Sequence, residues 1–153
     1  MSEVEQQFSI QRLFIKDISF ETPAGSEMFK AQWKPQIHLD VNTRNEKLED
    51  DIFEVVLTLT ITAKQDDKTA FLVEVQQAGI FLAKGLADEQ LRQVMGTVAP
   101  NILFPYAREM VDSLVTKGSF PALMLAPINF DALYQQAQQQ RAEQQAEQAD
   151  AKH

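Results

Sequence analysis

Alternation of apolar and polar residues over four successive segments is the feature that most constrains the fold of this chain. Successive side chains of a β-strand point to opposite faces, so a period of two predicts a strand with one apolar face. Polar turns at residues 45–50 and 65–68 separate the later segments, which predicts antiparallel pairing. The four segments are Phe8 to Glu21, Ile37 to Arg44, Phe53 to Ala63 and Ala70 to Ala83.

Strict alternation divides the first and fourth segments into two faces each. In the first segment, one face holds Phe8, Ile10, Phe14, Ile18 and Phe20, and the other holds Leu13, Ile15, Asp17, Ser19 and Glu21. In the fourth segment, Phe71, Val73 and Val75 share one face, and Leu72, Glu74 and Gln76 share the other. Asp17 and Glu21 therefore point the same way, roughly 13 Å apart at about 3.3 Å per residue.

Helical patterns follow the strands. Asp88 is predicted to cap a first helix, and Asn101 a second helix that has Pro105 in its first turn and ends at Gly118. A last helix is predicted to begin near Asn129. Strands first and helices afterwards predict the α+β class, with a four-stranded antiparallel sheet followed by two main helices.

The length of 153 residues predicts one domain followed by a tail. Residues 1–134 hold all the strong strand and helix patterns and form the domain. Residues 135–153 are rich in Gln, Ala and Glu, and no large apolar residue follows Ala137. Such a tail buries too little surface to fold onto the domain, so it is expected to be helical at first and disordered afterwards.

The loop between the first two strands, residues 22–35, contains three large apolar residues, Met28, Phe29 and Trp33. Loops of this length are usually functional or mobile. One interpretation is that the three side chains fold back into the core, which is where a tryptophan is usually found. The other is that they line a binding surface.

Composition restricts where the protein works. The chain has no cysteine, which excludes disulfides, thiolate nucleophiles and Cys-type zinc sites and fits a reducing compartment. No run of 18 apolar residues is present, and the N-terminus MSEVEQQFSI has neither the basic nor the apolar region of a signal peptide. A cytoplasmic location without membrane insertion is therefore expected.

The net charge of −8 argues against a nucleic-acid partner, because phosphate binding needs clustered cations. An acidic surface suits a basic protein partner instead, through steering and charge complementarity. The alternative is that the acidity only keeps the protein in solution.

Residues for catalysis are few. His38 shares a strand face with Asp40, which is one way to build an acid–base dyad, but a dyad also needs a pocket, and two polar residues are the ordinary content of a solvated strand face. No GxSxG, HExxH, Walker or GxGxxG motif is present. The sequence therefore favours a protein that acts by binding alone, without catalysis, metal or cofactor. A small-ligand enzyme using His38 and Asp40 and a structural interaction module remain as alternatives.

Five segments with unusual sequences point to a known family. On these segments the chain resembles the SecB export chaperones, from about Phe8 to Tyr134. The segments are KDISFE (Lys16–Glu21), DDIFEVVL (Asp50–Leu57), EVQQAGIF (Glu74–Phe81), PNILFPYARE (Pro100–Glu109) and GSFPALMLAPINFDALY (Gly118–Tyr134).

The resemblance implies a holdase that needs no ATP. Such a protein binds unfolded preproteins in the cytoplasm, keeps them competent for translocation and delivers them to the SecA translocation ATPase. The resemblance also implies a homotetramer built as a dimer of dimers. The tail departs from the family's Gly-containing acidic tails, so a tail contact with the zinc-binding segment of SecA is not implied.

Three groups of site residues follow from the resemblance together with the strand pattern. The surface for SecA is expected at Asp17, Glu21, Leu72 and Glu74, although Leu72 and Glu74 also fit an ordinary solvated strand face. The client groove is expected at Phe29, Trp33, Phe120, Leu123, Leu125 and Phe130. Subunit contacts are expected near Val73, Val75 and Gln77. An alternative within the family is a SecB-like chaperone dedicated to one client such as an antitoxin, but the SecA-contact residues favour the export role.

Overall fold

The computed structural model of the chain describes residues 5–151; the first four residues, Lys152 and His153 lie outside it. The outer limits of the predicted domain and tail, at residues 1 and 153, thus fall outside the described residues. The elements are β1 (Gln7–Glu21), a 3₁₀ helix (Gly25–Phe29), β2 (Gln36–Glu49), β3 (Ile52–Gln65), β4 (Lys68–Lys84), α1 (Asp88–Gly96), α2 (Val98–Lys117) and α3 (Phe130–Ala151). The predicted α+β class is confirmed, with α2 and α3 as the two long helices.

The four strands form one antiparallel sheet in the order β1-β4-β3-β2. Tight turns join β2, β3 and β4, and Asp66 and Asp67 both have positive φ (52° and 61°), as a two-residue hairpin turn requires. The predicted polar turn over residues 45–50 is wrong, because β2 continues to Glu49 and the turn is at Asp50 and Asp51. The polar run belongs to an edge strand, where charged residues are common.

The two faces of the sheet differ in burial. One face packs against the helices, and its central side chains, Val55, Leu57, Leu59, Ile61, Val73 and Val75, are at most 1% exposed. We call it the helix face. The opposite face, which we call the open face, includes Thr58, Thr60 and Glu74, all partly exposed and outside the helix-packed core.

Two bulges in β1 change which residues share a face. The register shifts between Ile10 and Arg12 and again between Ile15 and Asp17. Each shift moves the following side chains to the opposite face. Strict alternation is therefore wrong for Phe14, which lies on the open face opposite Ala78. It is also wrong for the two residues that flank Phe14, namely Leu13 and Ile15, which lie on the helix face opposite Gly79 and Gln77.

The first two helices begin earlier than the sequence predicts. Ala87 is the N-cap of α1, and its N–H donates to Gln90 Oε1 over 3.3 Å, so Asp88 is not the cap. Asp88 lies in the first turn, where its charge interacts favourably with the helix dipole.

The second helix, α2, begins at Val98, so the predicted cap at Asn101 is wrong. Pro100, and not Pro105, lies in the first turn of α2. Proline is tolerated there because the N–H that it lacks would have no partner inside the helix. Pro105 lies inside α2 instead.

The end of α2 and the start of α3 agree with the sequence. Gly118 follows α2 with an ordinary φ of −83°, so left-handed backbone is not the reason for glycine here. The reason is a close approach, because a Cβ at Gly118 would lie 2.6 Å from Phe20 Cζ. Asn129, near which the last helix was predicted to begin, precedes α3. Its Oδ1 accepts a hydrogen bond from the N–H of Ala132 over 3.0 Å, as an N-cap side chain does.

The third helix continues to Ala151, and residues 135–151 are all exposed. Within the described residues the predicted tail is therefore helical and exposed. The division of the chain after residue 134 stays a prediction. Among residues 5–151, no helix combines the length and apolar character needed to cross a membrane.

Candidate functional site

The four residues predicted to contact SecA lie together on the open face. In the pairing of β1 with β4, Asp17 is opposite Gln76, Ser19 is opposite Glu74, and Glu21 is opposite Leu72. Side chains directly opposite each other on neighbouring strands share a face and lie about 4.5–5.5 Å apart at Cβ. We call Asp17, Glu21, Leu72 and Glu74 the acidic sheet surface.

The acidic sheet surface is accessible to solvent, and its carboxylates have no cationic partner within residues 5–151. Asp17 and Glu21 are exposed, and Leu72 and Glu74 are half-buried. Glu74 Oε1 accepts a hydrogen bond from Gln76 Nε2 over 3.3 Å, which fixes its side chain without neutralising it. Within the described part of the chain, none of the three carboxylates forms an ion pair. The nearby Lys16 pairs with Glu54 instead.

Three of the residues predicted for the client groove come together in a group of aromatic rings. The crossover segment, residues 22–35, connects the two edge strands and brings Phe29 and Trp33 to the Phe120 ring, with centroid distances of 5.3 Å and 4.9 Å. Phe71 lies 5.1 Å from Phe120 and 6.2 Å from Trp33. The ring of Phe20 lies 5.9 Å from that of Phe71. We call these five residues, Phe20, Phe29, Trp33, Phe71 and Phe120, the aromatic cluster.

Exposure within the aromatic cluster is graded. Phe71 and Phe120 are buried, Trp33 is half-buried, and Phe29 is 53% exposed. Phe120 therefore supports the cluster from below, and Phe29 and Trp33 form its accessible side. Met28 is buried, as the first interpretation of the segment predicts, whereas Phe29 is exposed. A binding surface on this segment stays a prediction.

The segment between α2 and α3, which begins next to Phe120, also presents apolar side chains. Leu123 and Leu125 are half-buried, and Met124 between them is 78% exposed with a φ of 49°. Asp112 holds the segment in place, because its Oδ1 accepts hydrogen bonds from the N–H groups of Leu123 (2.9 Å) and Met124 (3.3 Å). Sequence reasoning missed Met124, although its position inside the apolar run LMLAP was a usable signal.

Phe130 is not part of the aromatic cluster. It is 4% exposed and packs edge-on against Phe104 of α2 at a centroid distance of 6.3 Å. It lines a separate cleft of about 590 Å³, to which Val41 of β2 and Tyr134 of α3 also contribute. Phe130 thus lies apart from the other predicted groove residues, beside a cleft whose lining is mostly polar.

The three predicted subunit contacts are buried within the chain. Val73, Val75 and Gln77 lie on the helix face and are at most 4% exposed. Gln77 Nε2 donates hydrogen bonds to the carbonyl oxygens of Phe14 and Ala78 over 3.1 Å and 3.3 Å. Their burial counts against direct contact between these side chains and a second subunit. The exposed apolar side chains nearby belong to β1, an edge strand: Ile10 (46%), Ile15 (36%) and Ile18 (41%).

The His38–Asp40 pair is an exposed feature of β2. His38 Nε2 lies 3.2 Å from Asp40 Oδ1, and the two side chains are 73% and 72% exposed, so the pair has none of the burial that tunes a catalytic dyad. Across residues 5–151, no three His, Asp or Glu side chains gather closely enough to hold a metal ion.

The fold and these surfaces define a class of protein: an α+β protein with an acidic sheet surface and a partly exposed aromatic cluster. The model of the family described as preprotein translocase subunit SecB matches residues 1–141. The chain belongs to the SecB family, which is a family of chaperones and not of enzymes.

Curated relatives agree with this assignment. The protein-export protein SecB of Hahella chejuensis is 57% identical over 147 residues, covering 95% of this chain and 92% of the relative. The protein-export protein SecB of Ectopseudomonas mendocina is 59% identical over 130 residues, covering 85% of this chain and 81% of the relative. Both alignments extend over most of the predicted domain.

A solved structure supports the fold. The SecB-like chaperone of Mycobacterium tuberculosis, solved in complex with a peptide from the HigA1 antitoxin, has a TM-score of 0.64 and 16% sequence identity. The match covers 79% of this chain and 90% of that chain. At this identity the likeness concerns the fold alone.

Proposed function

We propose that this chain is an ATP-independent holdase of protein export, which binds unfolded preproteins in the cytoplasm, keeps them competent for translocation and delivers them to the SecA translocation ATPase. The observation that carries the proposal is the apolar surface of Phe29 and Trp33, which pack on the buried Phe120, in a protein of the SecB family. Large aromatic residues half-buried or exposed on a folded protein are typical of interaction sites.

Binding at such a surface explains selection for unfolded clients. A folded client has already buried its apolar side chains, whereas an unfolded one offers them to the aromatic cluster. Each client segment gains about 25 cal/mol per Å² of apolar surface buried, less the cost of ordering it. A ligand that binds only the unfolded state shifts the client's folding equilibrium by mass action, so no nucleotide is needed. Several weak contacts on one long client reinforce each other through effective concentration.

The acidic sheet surface is the proposed contact for SecA. Its carboxylates, Asp17, Glu21 and Glu74, form no ion pair among the described residues and are therefore available to cations of a partner. Leu72 supplies an apolar centre among them. Charges at the rim of such a contact act mainly on the association rate, and a central apolar residue acts on the dissociation rate.

A homotetramer, built as a dimer of dimers, is the proposed assembly. The edge strand β1 has unpaired backbone groups along its outer side together with the exposed Ile10, Ile15 and Ile18. Unprotected edges of this kind pair readily with other chains. Because Val73, Val75 and Gln77 are covered by the chain itself, we place the contact on the β1 residues beside them. Sedimentation that gives only monomer at micromolar concentration would exclude this assembly.

Client binding can be tested through the fluorescence of Trp33, because this is the only tryptophan and its emission reports on one site. A permanently unfolded polypeptide, reduced and alkylated, should bind saturably and change the emission of Trp33, and the same polypeptide in its native fold should not. Trp33→Ala should weaken binding of the unfolded form. The proposal fails if the unfolded polypeptide does not bind, or if both forms bind equally.

Charge substitutions test the SecA contact separately. Asp17→Asn and Glu74→Gln should weaken SecA binding, more at low salt than at high salt, because screening already reduces the attraction in the unaltered protein. Client binding should be unchanged. Glu109→Gln, an exposed substitution on α2, is the matched control and should alter neither affinity. Equal loss of client and SecA binding would mean that the two carboxylates only stabilise the fold.

A further inference from the structure

Gln65, a buried residue at the end of β3, holds the crossover segment with its side chain. The residue is 7% exposed. Its Nε2 donates a hydrogen bond to the carbonyl oxygen of Gln32 over 2.9 Å, and its Oε1 accepts one from the N–H of Lys34 over 2.7 Å. Gln32 and Lys34 flank Trp33. One side chain therefore binds the peptide groups on both sides of Trp33.

The two bonds give residues 32–34 the partner that a neighbouring strand would provide. Residues 31–35 belong neither to the 3₁₀ helix nor to β2. In an extended chain, the carbonyl of one residue and the N–H of the second residue after it point to the same side, as in the ladder of a sheet. The amide of Gln65 imitates a peptide group of that ladder. A buried amide is unfavourable unless its polar atoms are bonded, and here the donor and the acceptor both are.

This arrangement fixes Trp33 at its backbone as well as at its ring. The ring contacts Phe120 and Phe71, both buried. Lys68, which pairs with Gln65 across the hairpin, also forms a 2.8 Å ion pair with Glu27 of the 3₁₀ helix. Both partners of this ion pair are more than half exposed, so it holds the segment weakly.

We propose that Gln65 is a positioning residue: it fixes the orientation of Trp33 in the aromatic cluster and thereby sets the affinity for unfolded clients. The effect on clients rests on the function proposed above, whereas the effect on Trp33 does not. A tryptophan already held in place loses less conformational entropy when a client binds, and this preorganisation increases affinity. Removing the two bonds releases residues 32–34 while the rings beneath stay packed.

The test compares two buried glutamines. Gln65→Leu removes both bonds to the crossover segment at similar side-chain volume. Gln77→Leu is the matched control, because Gln77 is 4% exposed and bonds backbone carbonyls in another part of the sheet. Three quantities are measured: acrylamide quenching of Trp33, affinity for a reduced and alkylated unfolded polypeptide, and the urea midpoint.

Gln65→Leu should raise the quenching constant of Trp33 about twofold and weaken client binding about fivefold, on the scale of one ordinary hydrogen bond. Gln77→Leu should lower the urea midpoint while leaving quenching and affinity at their original values. Gln65→Met, which keeps the length of the side chain and packs adaptably, should behave like Gln65→Leu and replaces it if that variant does not fold.

Unchanged quenching in the Gln65 variants would overturn the inference, because Trp33 would then be positioned without Gln65. Raised quenching at the original client affinity would overturn the link to client binding. Equal effects of the Gln65 and Gln77 variants would reduce the role to general stability. If the unaltered protein binds no unfolded polypeptide, the proposed function fails, and quenching still decides whether Gln65 positions Trp33.

Discussion

Replacing Gly118 by alanine tests the packing between the end of α2 and β1. A Cβ at this position would lie 2.6 Å from Cζ and 2.7 Å from Cε1 of Phe20, and 3.3 Å from Cδ2 of Phe120. The first two distances are far shorter than a carbon–carbon contact, which is about 3.5–4.0 Å. Phe20 must therefore move, and its ring packs against the buried Phe71 at a centroid distance of 5.9 Å.

Two opposing terms set the size of the effect. Forcing an extra methyl group into a packed site costs about 1–3 kcal/mol. Replacing glycine by alanine where the backbone is ordinary stabilises by about 0.4–1 kcal/mol, because the unfolded chain loses freedom, and a φ of −83° is ordinary. We therefore expect Gly118→Ala to lower the free energy of unfolding by about 1–2 kcal/mol.

Urea unfolding, followed by the emission of Trp33 at one fixed protein concentration, measures this change. A double-mutant cycle of Gly118→Ala with Phe20→Leu shows whether the clash with the Phe20 ring causes the loss of stability, because the shorter leucine leaves room for the new methyl group. In the Phe20→Leu background, Gly118→Ala should cost nothing or stabilise slightly. Gly25→Ala is the control: Gly25 has a φ of 61° and no atom within 4 Å of a built Cβ, so its cost is conformational and should be equal in both backgrounds.

Two results would refute the reasoning. If Gly118→Ala lowers the free energy of unfolding equally in the unaltered protein and in the Phe20→Leu background, the contact with Phe20 is not the cause of the destabilisation. If Gly118→Ala does not destabilise the protein at all, the ring of Phe20 does not pack on the end of α2.

Three further predictions concern the segments around the aromatic cluster. Asp112→Ala should lower the free energy of unfolding by about 1.5–3 kcal/mol, measured in urea, because a carboxylate that accepts hydrogen bonds from Leu123 and Met124 is lost. Met124→Asn should stabilise by about 1 kcal/mol, since asparagine tolerates positive φ better than methionine, and should weaken client binding in the same samples. The hydrogen bond and charge of Lys68 hold the pKa of Glu27 below its ordinary 4.5. The unaltered protein should therefore be more stable than Glu27→Gln above pH 4.5, and this difference should disappear as the pH falls through the lowered pKa. A stability difference that persists at lower pH would contradict this.

The strands were predictable because alternation records burial directly. β3 and β4 lie at the centre of the sheet, and most of their side chains on the helix face are apolar, so counting residues was enough to assign Leu57 and Val75 to the core. β1 is an edge strand with two bulges, and a bulge inserts a residue without leaving a pattern of its own. That is why Phe14 was assigned to the wrong face.

The acidic sheet surface was predictable for a related reason. Asp17 and Glu21 both follow the second bulge, so the alternation of side chains between them is undisturbed and they share a face as predicted.

The helix starts were less predictable, because capping depends on a single residue. Both Ala87 and Asp88 precede the same apolar pattern, and the amide of Gln90 decides between them.

The spatial grouping of the residues predicted for the groove could be inferred only in part from the sequence. Aromatic residues in a loop indicate a site, and Phe29, Trp33 and Phe120 do meet. Phe130 has the same chemistry, but at the start of α3 it is buried against Phe104, away from the aromatic cluster. Gln65 gives no signal in the sequence, because its importance depends entirely on where residues 32–34 pass in three dimensions.

The strand order β1-β4-β3-β2 has a consequence for the way the protein is made. Among the four strands of residues 5–151, β1 leaves the ribosome first, but its partner within the sheet is β4, and this pairing cannot begin before Leu72 has been synthesised. About 50 residues separate Glu21 from Leu72, which at about 5–20 residues per second takes roughly 3–10 s. Throughout that time an unpaired segment with Phe8, Ile10 and Phe14 is exposed to the cell. The nascent chaperone thus passes through the same unfolded state in which we propose that it binds its clients.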